Sequence, residues 1–141
     1  MTLAELGKRT QAIEIYSKML ELNENDNMGV RYVLLPLLAA ENKFSEAEKF
    51  LTQWSENTAQ MLYAKVLLYF KQGDEAKANA TLKKAQSANK HVPKFLLSQK
   101  KLKEVDSYSH GGEDEAAIIQ QDTLTYWQET KGALEWLRAN A

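Results

Sequence analysis

The chain has 141 residues, 44% of them hydrophobic and 26% charged, with a formal net charge of −1. That suffices for one soluble domain with a buried core, and a near-neutral chain sets up no global field to recruit nucleic acid or an anionic membrane. The absence of cysteine excludes disulfides, thiolate metal ligands and a cysteine nucleophile; it does not fix a compartment, and a reducing cytoplasm is the default setting.

The N-terminal stretch MTLAELGKRT has no apolar signal core. From Thr10 to Leu22, the residues Ala12, Ile13, Tyr16, Met19 and Leu20 recur with the spacing of one helix face. NENDN then breaks the pattern, and Asp26 or Asn27 can cap the next helix with a side-chain oxygen. Met28 to Ala40 is apolar nearly all round, as expected of a helix wedged between neighbours, with Pro36 inside it to bend the axis. Its longest apolar run, from Val30 to Ala40, is interrupted by Arg31 and Pro36 and is about half of what a bilayer requires.

Asn42 ends that helix. Ser45 and Glu48 have the spacing of a capping box for the following one, whose buried face is Phe44, Ala47, Phe50, Leu51 and Trp54. A third hairpin runs from about Thr58 to Ala88, with Gly73 and Asp74 at its turn and an alanine-rich second helix. His91-Val92-Pro93 opens a short helical segment, since proline is tolerated in a first turn. Lys100 to Gly112 reads as a loop, and the basic stretch from Lys90 to Lys103 as a solvated face. A last helix pair, Glu113 to about Gln128 and Lys131 to Ala139, carries Trp127, Leu134, Trp136 and Leu137.

Gly7, Asn42 and Gly73 each stand five residues before an alanine, namely Ala12, Ala47 and Ala78. Gly or Asn at a turn takes the left-handed conformation, and a small residue after it lets two helices approach closely. A repeat of this period marks stacked helical hairpins. The expectation is therefore positive φ at all three turn residues and full burial of Ala47 and Ala78. The fold expected is all-α, a right-handed stack of hairpins: a partial repeat over 7–27, full repeats over 28–57 and 58–90, and a C-terminal cap over 91–141. No helix precedes Ala12 to cover Ile13, Tyr16 and Leu20, which favours a fragment of a longer chain or self-association through this N-terminal face.

This pattern resembles the tetratricopeptide repeat over roughly residues 7 to 90. Glu24 and Lys90 stand where that repeat usually has proline, so the version is degenerate. A narrower likeness covers about residues 22 to 137. NENDNMGVRYVLLPLL, NKHVPKFLL and TYWQETKGALEWL look like segments of the suppressor of tumorigenicity 7 family and its bacterial relatives. That resemblance implies a helical repeat scaffold with a specialised C-terminal cap and no enzymatic activity. The membrane segments of its animal members have no counterpart here.

Candidate chemistry is sparse. His91 and His110 lack any metal-site spacing, and the acidic run Glu113, Asp114 and Glu115 suits a helix N-terminus. No catalytic set, metal site or cofactor is expected. Asn27 and Arg31 share a helix face, and Arg31 is the only charge in a long apolar run; it could pair with Asp26 or Glu24, or grip a ligand carboxylate. Tyr32, Tyr63 and Tyr69 lie on first helices, which line the concave side of such stacks, and are the other candidate partner contacts. The inner positions Tyr32, Val33, Pro36 and Ala40 are too apolar for a carboxylate clamp. The expected function is non-catalytic: a scaffold binding a peptide or helix of a protein partner in a concave groove. A structural or oligomerisation segment of a larger protein is the alternative.

Overall fold

The computed structural model describes residues 3–23, 25–26, 29–98 and 110–141, with the side chains of residues 3 and 4 left aside. Among them lie eight helices and no strand: α1 (Leu3–Leu22), α2 (Val30–Ala40), α3 (Phe44–Trp54), α4 (Ala59–Lys71), α5 (Glu75–Ala88), α6 (Val92–Ser98), α7 (Glu113–Glu129) and α8 (Ala133–Asn140). They form an all-α helical repeat stack closed by the C-terminal helices.

Two of the three expected turns are built alike. Asn42 has φ 59° and Gly73 has φ 80°. Past each of them the next amide reaches back to close the preceding helix: Lys43 N–H donates to the Leu38 carbonyl at 2.9 Å, and Asp74 N–H to that of Tyr69 at 3.0 Å. Ala47 and Ala78 follow and are wholly buried, as their spacing requires.

Gly7 departs from this pattern. It lies inside α1 and is not among the positive-φ residues. Keeping the helical hydrogen bonds outweighs the roughly 1 kcal/mol that an interior glycine costs. The capping box is also absent. Helix α3 begins at Phe44, with Lys43 at the N-cap and no side-chain cap. The Asn42 turn delivers the chain into the helix two residues before Ser45 could act, and Glu48 instead accepts from Gln72. Asp74 and Thr58 do cap α5 and α4, accepting from Lys77 N–H and Met61 N–H.

Two apolar clusters make up the core. One joins α1, α2 and α3 to Met61, Ala64 and Leu68 of α4. The other joins Tyr63, Val66 and Leu67 of α4 to α5 and to all three C-terminal helices. Helix α4 is the wall they share, and every residue from Met61 to Leu68 is buried. Pro36 is accommodated inside α2 and buried there.

The N-terminal face differs from expectation. Ile13 and Leu20 are buried against the α2 cluster, and Tyr16 is half-buried. The large apolar residues of α1 left exposed are instead Leu6, Ile15 at 58% and Leu22 at 80%. The C-terminal cap packs its large apolar residues against the α4–α5 hairpin. Trp127 and Leu137 are buried, and the Trp136 ring meets Phe70 of α4 at 5.4 Å. However, α7 does not extend the stack beyond α5; it packs on α6 and reaches back to α2. Most of the Lys100 to Gly112 loop lies outside the described residues.

These features set two stability expectations. Gly73→Ala should cost about 1 kcal/mol or more through backbone strain alone, because no atom lies near its Cβ position. Gly7→Ala should instead stabilise by about 0.5–1 kcal/mol. Urea unfolding measures both, and equal effects at the two glycines would contradict the continuous α1. Trp127→Ala should destabilise by about 3–5 kcal/mol in the same assay, the usual range for emptying a buried indole site.

Candidate functional site

Arg31 lies at the start of α2 and is fully engaged. Its guanidinium bonds Asp26 Oδ2 at 2.9 Å, Glu56 Oε1, and the Tyr32 hydroxyl at 2.9 Å. It also lies over the rings of Tyr32 and Trp54, at 4.4 and 5.7 Å from their centroids. Burial alone would lower its pKa, but the bonds to Glu56 and Asp26 raise it, so it stays cationic. The Tyr32 hydroxyl donates to Glu56 Oε2 at 2.9 Å; burial first, and that bond second, hold its pKa up.

Asp26 is itself buried and caps α2, accepting from Val30 N–H at 2.8 Å and Arg31 N–H at 2.9 Å. The candidate ligand grip is thus an internal knot that ties the α1–α2 connection to the end of α3. Asn27 lies outside the described residues.

The candidate tyrosines part company. Tyr63 is 1% exposed, and its hydroxyl donates to the Asn89 carbonyl at 2.7 Å. It offers no surface to a partner: α6, α7 and α8 cover the side of α4 on which it lies. Burial, then the charge of Glu115, pushes its pKa up. Tyr69 is half-buried, with the Lys77 ammonium 4.4 Å from its ring centroid. Glu115 is buried too, and accepts from Asn89 Nδ2 and Gly111 N–H at 2.9 Å. The acidic run thereby does more than face a helix dipole: it pins the start of α7 to the end of α5.

Arg9 was not singled out by sequence spacing. It bonds Glu41 Oε1 at 2.9 Å and grips both carboxylate oxygens of Glu129, while lying 5.0 Å from the Tyr126 ring centroid. The Glu129 bond, opposed by burial and aided by Glu41, raises its pKa. This contact latches the end of α7 to α1 and to the α2–α3 turn. Together with the Tyr63 face, it closes over the inner groove where a partner was expected.

The open space lies on the opposite, outer side. A cleft of about 240 Å³ runs between α1 and α3 over α2. Leu20, Leu34, Leu38, Phe50 and Trp54 give it an apolar lining, and Ser17 and Gln53 stand among its polar residues. Among the described residues, no group of three or more acidic or histidine side chains is placed to hold a metal ion, and no helix is long and apolar enough to cross a membrane.

The tetratricopeptide-repeat family model matches residues 1–26 and 59–91. The second match is the α4–α5 hairpin. The first covers α1. The two matches support a tetratricopeptide-repeat protein. No curated protein and no solved structure matches the chain.

The Arg31 knot makes a testable claim. Arg31→Met should cost about 1–3 kcal/mol by leaving two carboxylates unpaired. Arg31→Met combined with Glu56→Gln should cost less than the sum of the single changes by at least about 0.5 kcal/mol. Additive urea-unfolding energies would show that the pair does not interact.

Proposed function

We propose that the chain is a non-catalytic scaffold whose outer cleft between α1 and α3 takes a large apolar side chain from a peptide or helix of a protein partner. One observation carries this reading: α6, α7 and α8 cover the inner face, while the outer cleft is open and apolar. Tetratricopeptide repeats commonly mediate protein–protein interaction and are generally not catalytic, which supports the class of function. The proposal includes no nucleic-acid or membrane partner and takes the cytoplasm as the setting.

It keeps the division into a partial repeat over 7–27, repeats over 28–57 and 58–90, and a cap over 91–141. It also keeps the narrower likeness to the suppressor of tumorigenicity 7 family, supported by the sequence segments that carry it. Of the partner contacts considered from sequence, Arg31 and Tyr32 then act indirectly, by fixing Trp54 at the rim of the cleft. Tyr69 stands on the outer side, one hairpin further along.

A second reading has its own observation. Ile15 and Leu22 stand one above the other on α1, beside half-buried Ala12 and Met19, where a repeat's first helix would pack. A second copy of the chain covering this stripe would make the protein self-associate.

The two readings separate cleanly. Peptides selected from a random helical library on the wild-type protein should lose at least tenfold in affinity against Ser17→Arg/Gln53→Arg, which fills the cleft from its polar edge. Unchanged affinity would defeat the cleft reading. Sedimentation velocity should show concentration-dependent association that Ile15→Glu/Leu22→Glu abolishes. A wild-type monomer at all concentrations would defeat the second reading.

A further inference from the structure

Lys65 stands at a place in the fold where a lysine is out of character. It keeps 9% of its surface, and its ammonium donates to Ser55 Oγ at 2.8 Å. Among the described residues no carboxylate lies within ion-pair distance of it. Lysines are rarely buried without a partner charge, because desolvating an ammonium costs several kcal/mol unless an anion compensates. The nearby carboxylate, Glu56, is already held through both oxygens by Arg31 and Tyr32.

The repeat shows that this is a change of a whole set of positions. Aligned on Asn42 and Gly73, Lys65 replaces Leu34, Tyr69 replaces Leu38 and Thr81 replaces Phe50. Aligned on Gly7 and Asn42, Ser55 replaces Leu20. Four lining residues of the apolar cleft thus reappear, one hairpin along, as an ammonium, a phenol and two hydroxyls. Lys77 lies over the Tyr69 ring, and Lys84 borders a hollow of about 390 Å³ with Asn57, Leu62 and Ser87. Burial, then the charge of Lys84, lowers the pKa of Lys65, with Lys77 adding to this and Glu56 opposing it.

We propose that the surface around Lys65, beside this hollow, is an anion seat, in which a side-chain carboxylate of an acidic polypeptide segment pairs with the Lys65 ammonium with support from Lys77 and Lys84. A carboxylate fits better than a phosphate. The donors are ammonium groups and hydroxyls, with no guanidinium fork to clasp a tetrahedral dianion. The seat adjoins the apolar cleft, so a segment carrying a large apolar residue and a nearby Glu or Asp would engage both. The inference rests on the scaffold reading only in taking the ligand to be a polypeptide.

The probe is a labelled soluble peptide containing Leu and Glu, with a Gln-for-Glu counterpart, titrated by fluorescence anisotropy. The Glu peptide should bind at least tenfold more tightly than the Gln peptide, and less tightly as salt rises. Lys65→Met should abolish that difference, as should Lys77→Gln/Lys84→Gln, which changes only exposed side chains. Lys83→Gln/Lys90→Gln, equal in charge removed, should leave it intact; an equal loss there would mean diffuse attraction and overturn the seat. Inorganic phosphate displacing the peptide more effectively than acetate would overturn the carboxylate assignment. Should Ser17→Arg/Gln53→Arg weaken both peptides alike while the Glu preference persists, the seat stands; loss of the preference with the apolar cleft intact sinks the seat alone.

Discussion

Helix α4 has no free side from Met61 to Leu68, where every residue is buried. Met61, Ala64 and Leu68 face the α1–α3 cluster, and Tyr63, Val66 and Leu67 face α5 and the C-terminal helices. An inner helix of an open stack would leave one stripe to solvent. Here that stripe is buried too, so the C-terminal helices are part of the wall and not an appendage. Their placement is fixed at both ends of α7. Asn89 and Glu115 hold its start against α5, and Arg9 holds its end through Glu129. The carboxylate of Glu115 is buried and hydrogen-bonded, which makes its end the more demanding of the two. The Glu129 carboxylate is more exposed, so that contact contributes less per bond.

Closing the inner face has a consequence for where chemistry can happen. A stack with its concave side occupied by its own chain has only its outer clefts and its ends left to offer. The outer cleft between α1 and α3 takes Leu34 and Leu38 of α2 into its lining. Aligned on Asn42 and Gly73, the next hairpin carries Lys65 in the place of Leu34, and the counterparts of Leu20, Leu38 and Phe50 are polar as well.

The hairpins were legible in the sequence because their signals are local. Asn42 and Gly73 each specify a left-handed residue, and Ala47 and Ala78 each specify a close crossing; both demands are met within one turn of chain. The same letters at Gly7 and Ala12 produced no turn: Gly7 lies inside the continuous α1, where helical hydrogen bonds outweigh the cost of an interior glycine. Ser45 and Glu48 failed for a similar reason: backbone bonds from the Asn42 turn set the start of α3 before a side chain could. Arg31 was legible as a lone charge in an apolar run, and its pairing with Asp26 was among the options. Its second partner, Glu56, comes from the connection between α3 and α4, beyond the reach of any local pattern. Tyr63 and Tyr69 look alike in sequence, yet one is core and the other half-exposed, because only the first faces the returning C-terminal helices. The Arg9 contact joins the two ends of the chain, and no local pattern announces such a pairing.

Lys65 is a case between these. Its oddity is visible once the repeats are aligned, since it is the one charge in the run from Met61 to Phe70, at a place where the counterpart α2 carries leucine. What alignment alone does not reveal is that the lysine is buried and short of a counter-charge. Burial by itself has an innocent explanation, since a lysine stem can cover apolar surface while its head reaches water. The head of Lys65 instead bonds Ser55, the residue in the place of a leucine. A hydroxyl there satisfies one of three donors and neutralises nothing. The remaining electrostatic demand is a property of the folded chain itself, and it is this demand that the proposed anion seat answers.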